Sequence, residues 1–317
     1  MHPHLSFLDG VRPTFGGHEK FVFRQSWLKK GVDAIAEDGL IFTRDEALVK
    51  LGVGKNMVRS IRHWCLATGM IEETESSGLA RPLRISQLGI RLLGENGWDP
   101  YLEDMGTLWL LHWQLVSNYV RGLVWTLTFS VYLAEEFTKR DLVKFISGQF
   151  ERLKVRTTEG TINREVDCCL LTYVPSQYKQ TSNLEETLNC PLNELGLVRF
   201  TPEENVYRFI VGPKPTLPVN IFSYGLLNYL RRFLRNRRTV AVDEIVYPVG
   251  SPGQVFKLDE NSVVEYLESL ENQTKGIVRI QETAGLRQIY IANAPGRNEE
   301  EDILSSIAWD LLKAHYE

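Results

Sequence analysis

Cysteine is scarce in this chain: four in 317 residues, none of them in a CxxC pair. Cys65 and Cys190 stand alone, and Cys168 and Cys169 are adjacent. That pattern excludes a zinc ribbon and a secreted disulfide framework, and it predicts a reduced, cytoplasmic protein. Excess charge is also small. Lys and Arg number 36 against 40 Asp and Glu, a formal net charge of −4, so bulk charge does not announce a nucleic-acid binder. The start Met1-His2-Pro3-His4 lacks the basic and apolar regions of a signal peptide. Long apolar runs are missing too. The most apolar stretch, Met105 to Ala134, is broken by Arg121, His112, Gln114, Asn118 and Gly122. A spanning helix needs ~20 predominantly apolar residues, so this stretch reads as buried core helices and no membrane contact is expected.

Familiar catalytic signatures are absent. There is no GxxxxGK[ST] loop, no HExxH, no GxSxG and no HxE…PCxxC. The histidines, His2, His4, His18, His63, His112 and His315, are too scattered in sequence to propose a metal centre. What remains is a chain of globular composition, long enough for two or three domains.

The first of these has a readable order of elements. Leu28, Val32 and Ile35 recur at helical spacing between Gln25 and Ala36, with Lys29, Lys30 and Asp33 between them. Thr43-Arg44-Asp45-Glu46 has the S/T-x-x-E form of a capping box and predicts the start of a short helix that stops at Gly52. After the Gly52-Val53-Gly54 turn, a longer helix is expected from Lys55 to Thr68. At about 100° per residue, Val58, Ile61 and Cys65 share one face, while Arg59, Arg62 and His63 fall on another with Lys55 beside them. Met70–Thr74 and Arg81–Ser86 read as two strands around a polar tip. Helix, helix-turn-helix and hairpin in this order make a winged helix, which lays its third helix in the major groove. The chemistry suits DNA: Arg pairs with guanine, Asn56 with adenine, and Lys55 reaches phosphate. From Arg24 to Arg62 there are eight basic and five acidic residues, a local excess inside an acidic protein. The expected DNA contacts are Lys55, Asn56, Arg59, Arg62 and His63, with Arg81 and Arg84 on the wing. A protein-interaction module with a solvated basic face is the plainer alternative.

The turn-rich segment Gly94–Pro100 marks a boundary. Further amphipathic helices are expected over Lys139–Lys154 and Thr161–Tyr173. A helix leading into a two-stranded hairpin recurs from Cys65, Leu192 and Leu267. The fold class is therefore mainly α with small β-hairpins (α+β), built of tandem winged-helix or helix-turn-helix units. The expected domains are residues 1–97 (lead-in and winged helix), 98–212 (central helices with a winged-helix-like hairpin) and 213–317 (a C-terminal winged-helix-like unit). Between Asn205 and Val242 no acidic residue occurs, and Arg231, Arg232, Arg235, Arg237 and Arg238 crowd the end of a helix. They suit a phosphate-tracking surface. Capping of the helix dipole and salt bridges to Asp243 and Glu244 explain them equally well.

Three segments stand apart. Phe15-Gly16-Gly17-His18-Glu19-Lys20-Phe21-Val22-Phe23-Arg24 puts two glycines beside His18, Glu19 and Lys20, then alternates aromatics. A histidine can shuttle protons and a carboxylate can hold a metal or a water, which makes these three the catalytic candidates. A lead-in packing Phe21 and Phe23 against the winged helix is the plainer reading. Ser251–Glu260 (SPGQVFKLDE) and Thr283–Gln288 (TAGLRQ) place glycine beside polar groups in loops.

At the runs FGGHEKFVFRQSWLKKG, SPGQVFKLDE and TAGLRQ the chain resembles the SspB-type proteins of bacterial single-stranded DNA phosphorothioation systems. The resemblance spans nearly the whole chain. It implies a DNA-acting protein, a nickase, that works with a cysteine desulfurase, an ATPase and an ATP-pyrophosphatase-like sulfur-transfer enzyme in antiphage self-marking. Many relatives are expected to carry a hydroxyl residue after His-Glu, where this chain has Lys20, and no assigned active site is carried over. The expectation is thus a cytoplasmic DNA-binding protein that nicks one strand with a divalent metal such as magnesium, a homodimer being compatible with it. A non-catalytic specificity subunit or transcription regulator is the alternative.

Overall fold

In the computed structural model, which describes residues 5–8, 10–74, 82–175, 190–233, 237–274, 276–283, 285–292 and 299–317, helices dominate and the strands form small antiparallel sheets. The chain divides into two compact units, the larger comprising Ser6–Thr128 and Ala134–Arg208, the smaller chiefly Phe129–Leu133 and Phe209–Glu317.

The larger unit opens with α1 (Gln25–Glu37), α2 (Glu46–Leu51) and α3 (Lys55–Ala67), followed by the hairpin of β1 (Ile71–Glu73) and β2 (Leu83–Ile85). Helix α1 buries Trp27, Leu28, Val32 and Ile35, the face its spacing predicts. It meets α3 closely at Gly31, where a Cβ would lie 2.4 Å from Cys65 Sγ. A helical glycine costs roughly 0.5–1 kcal/mol relative to alanine, and here it allows that close approach. The expected capping box does not form. Thr43 belongs to the 3-10 turn Ile41–Thr43, and its hydroxyl donates to the Leu40 carbonyl at 2.7 Å. Helix α2 therefore starts at Glu46, which stands at the first helical position rather than the third, and Asp45 caps it without a side-chain bond. Gly52 ends α2 in the left-handed conformation, φ 64°. Ile71 pairs with Ile85, Glu72 with Arg84 and Glu73 with Leu83.

Next come α4 (Gln87–Leu93), α5 (Met105–Val116), α6 (Leu123–Thr126) and a π-helical turn at Leu127–Val131. Helix α5 is buried nearly all round, as its apolar sequence predicts, with Trp109, Leu110, Leu111 and His112 sealed from solvent. Among the described residues no helix is long and apolar enough to cross a membrane. Strand β3 (Glu136–Phe137), α7 (Lys139–Arg152) and α8 (Glu159–Tyr173) precede β4 (Val198–Thr201) and β5 (Val206–Phe209), and the sheet order is β3-β5-β4. Thr138 and Asp141 form a capping box at α7, and the Thr158 hydroxyl caps α8.

The smaller unit holds α9 (Val219–Phe233), β6 (Thr239–Ala241), α10 (Asp243–Val246), α11 (Pro252–Phe256), α12 (Glu260–Gln273), β7 (Val278–Thr283), β8 (Leu286–Ile291) and α13 (Glu299–Tyr316). The hairpin expected near its end is β7–β8, and β6 pairs with the other side of β8. The SPGQVFKLDE segment is a double cap: Ser251 accepts from the Gln254 amide at the start of α11, and Asp259 from the Ser262 amide at the start of α12.

Candidate functional site

The Gly16–Phe21 turn holds two adjacent strained residues of the larger unit. Glu19 (φ 49°) and Lys20 (φ 70°) are consecutive non-glycine residues in the left-handed region, behind Gly16 at φ 74°. Such residues persist only where their surroundings over-determine them, and they gather at functional sites. His18 is the clamp. Its ring is 1% exposed, and Nδ1 accepts the Lys20 amide at 3.1 Å. In the neutral ring the proton then sits on Nε2, which lies 3.1 Å from Glu165 Oε1 on α8. This contact is electrostatic rather than a directed hydrogen bond, because Nε2 has no acceptor in line with its N–H. Glu165 is itself sealed from solvent, and Oε1 accepts the Gly16 amide at 2.6 Å. One buried carboxylate thus holds the start of the turn at Gly16 and faces its centre at His18.

Helix α3 supplies the floor. Ser60 Oγ donates to the His18 carbonyl at 2.9 Å, and Trp64 Nε1 donates to the Phe21 carbonyl at 2.9 Å. Gly17 is required for packing: a Cβ there would lie 2.5 Å from His63 Nδ1. His63 is buried against the His18 and Trp64 rings, and burial, then His18, holds its pKa well below the usual histidine value. The helical angle places His63 with Arg59 and Arg62, but the lead-in turn covers that edge of α3 and takes His63 inside.

A cavity of about 430 Å³ opens beside the turn. Lys20, Asn56, Thr161 and Arg164 line it together with His18 and Glu165. Sequence reasoning misses Arg164 and Glu165. The available signal is a lone acid, Glu165, on the buried face of a helix with Ile162, Val166 and Cys169.

The expected DNA contacts divide. Lys55 and Asn56 are exposed at the start of α3. Arg59 pairs with Glu19 at 3.2 Å, Arg62 with Glu73 at 3.4 Å, and Arg84 with Glu72 at 2.7 Å. Glu73 also holds Arg121 at 2.7 Å. Arg81 and Arg235 lie outside the described residues. In the smaller unit Arg232, Arg237 and Arg238 are exposed and Arg231 is half-buried. Arg237 Nη2 donates to Glu244 Oε2 at 3.0 Å, one of the salt bridges the plainer reading expects.

The smaller unit also buries two lysines. Lys257 Nζ donates to the Phe129 carbonyl at 2.7 Å and stands 4.3 Å from the centre of the Phe209 ring. Burial, then the neighbouring Lys214, lowers its pKa to about 7. Lys214 donates to the carbonyls of Ile210, Gly212 and Lys257, and burial lowers its pKa to about 8. Among the described residues no three His, Cys, Asp or Glu side chains form a metal-binding group. All four cysteines are buried, and burial raises their thiol pKa values.

The model of a family described as Protein of unknown function (DUF4007) matches residues 15–307. Two solved structures are similar to the chain: an SspB crystal structure and a magnesium ion-bound SspB crystal structure. Each is 30% identical, has a TM-score of 0.85, and covers 96% of this chain and 88% of its own. No match is found among curated proteins.

Proposed function

The chain belongs to the family of SspB-type proteins, and from that premise we propose that it acts on the DNA backbone as the nicking component of a phosphorothioation system used in antiphage defence. The reading takes α1–α3 and the β1–β2 hairpin as a winged helix, with α3 directed into the major groove. One observation carries it. Asn56, in the exposed first turn of α3, lines the same cavity as the strained His18-Glu19-Lys20 turn, so DNA seated on that turn of the helix would have a backbone phosphate within the cavity that Lys20 and Arg164 line. Cations placed where charge develops on a phosphoryl oxygen stabilise the transition state of strand cleavage. The cysteine desulfurase, ATPase and sulfur-transfer enzyme of such a system would be its partners.

Magnesium is bound in one SspB crystal structure. In this chain the carboxylates at the cavity do not fit a preformed cage. Glu165 Oε1 is held by the Gly16 amide, and Glu19 is paired with Arg59.

A non-catalytic DNA-binding specificity subunit is the second reading. It is favoured by the engagement of His18, whose Nδ1 serves the turn and whose Nε2 faces Glu165. Incubating supercoiled plasmid with pure protein, with and without magnesium, separates the two. Open circles support the nickase; plasmid that is bound but never relaxed supports the subunit.

A further inference from the structure

We infer that the cavity under the His18 turn is an oxyanion clamp that takes a single phosphoryl group, with Lys20 and Arg164 as its two cations. The first support is charge. Two acids line this cavity, and both are engaged: Glu19 by Arg59, and Glu165 by the Gly16 amide with His18 beside it. Lys20 and Arg164 have no carboxylate partner among the described residues, since Arg164 donates only to the Gly160 carbonyl and to Thr161 Oγ1. Both are exposed cations. An unneutralised pair of cations at one small cavity is the composition of an anion site.

Geometry is the second support. Helix α3 begins at Lys55 after Gly54, with no side chain capping its first amides. Asn56, the second residue of the helix, lines the cavity and adds its carboxamide to the two cations. The third support is the strain. Holding Lys20 left-handed puts its amide on His18 Nδ1, which fixes the start of the lysine side chain. On this account His18 and Glu165 are positioning residues for the clamp.

The inference rests on the DNA reading only for the source of the phosphate, a backbone phosphodiester. Inorganic phosphate titrated into the full chain, without DNA, tests the clamp alone. Calorimetry should give saturable binding, and the amide resonances of Gly16–Phe21 should shift with the same midpoint. The paired substitutions Lys20→Gln and Arg164→Gln should weaken binding by about ten-fold or more. Lys144→Gln, which removes an exposed cation from α7, should leave it unchanged. Sulfate should compete, and chloride at equal ionic strength should not. Absence of saturable binding, equal binding by the double variant, or equal displacement by chloride overturns the clamp. Duplex binding measured separately then shows whether the DNA reading stands without it.

Discussion

Glu19 Oε1 lies 3.2 Å from Arg59 Nη1, so the acid of the strained turn is paired with an exposed arginine of α3 that, on the proposed reading, would meet a base. The two roles compete. Arg59 cannot donate to guanine and to Glu19 in the same geometry, and a docking phosphate must displace the acid or leave the arginine where it is. Removing the acid should therefore favour DNA. Glu19→Gln is expected to tighten duplex binding several-fold at low salt, and Arg59→Ala to weaken it by about 1–3 kcal/mol if the arginine meets a base. A gel-shift series at fixed ionic strength reads both. Unchanged affinity in the two variants removes this end of α3 from the interface.

Lys257 makes the smaller unit pH-sensitive in a direction that can be worked out. Its pKa is about 7 in the fold, against about 10.4 for a free lysine. Between those values the unfolded chain binds more protons than the folded one, so stability rises with pH. On the way down, stability falls as pH drops toward 7, and the loss from this group is complete below it. From pH 7 to 9 the rise is about 2–3 kcal/mol, at 1.36 kcal/mol per unit. Replacement by methionine keeps most of the volume on the Phe209 ring and removes the titration. Urea unfolding should show the stability gap between parent and Lys257→Met narrowing by about 2–3 kcal/mol from pH 6 to pH 9. Parallel curves refute the assignment.

Much of the larger unit is legible in the sequence because local rules and packing agree there. The apolar spacing of α1, Gly52 between α2 and α3, and the β1–β2 hairpin all form where the sequence puts them. The misreadings have two causes, a competing local turn and contacts between distant segments. Thr43 has the spacing of a cap, but the preceding 3-10 turn uses its hydroxyl. His63 falls on an exposed face by angle, but the segment at Gly17, remote in sequence, lies over it. Glu165 is invisible beside His18 because a contact between residues so far apart in the chain leaves no local pattern. Helical angle assigns residues to faces; it does not say which face the rest of the chain will cover.

The arginines at the end of α9 are expected to add affinity without sequence preference. Arg232, Arg237 and Arg238 are exposed, and Arg237 is engaged with Glu244. Converting Arg232 and Arg238 to glutamine should flatten the plot of log affinity against log salt by about 0.9 for each phosphate no longer neutralised. Arg237→Gln should cost less than about 1 kcal/mol of stability, as an exposed ion pair does. An unaltered salt slope with intact folding assigns the cluster to structure or to a protein partner.

Whether the buried His18–Glu165 pair beneath the turn does chemistry or holds shape is decided by substitution. Glu165→Ala removes the acceptor of the Gly16 amide and leaves His18 buried without its carboxylate. Breaking a buried pair typically costs about 3–5 kcal/mol, so a dead alanine variant would be uninformative. Glutamine is the sharper probe, because its carbonyl oxygen can still accept from Gly16 while the charge is gone. If Glu165 tunes His18 for proton transfer during strand cleavage, Glu165→Gln should slow plasmid nicking by roughly 10²-fold or more. Duplex affinity should stay within about two-fold, because proton transfer acts in the transition state rather than in binding. His18→Asn supplies the matching change on the other side of the pair. Circular dichroism and melting must first show both variants folded. Folded variants that nick at the parental rate make the pair a scaffold for Lys20 and Arg164. A parental protein that binds duplex yet never relaxes plasmid, with magnesium present, makes the chain the DNA-binding subunit of its system.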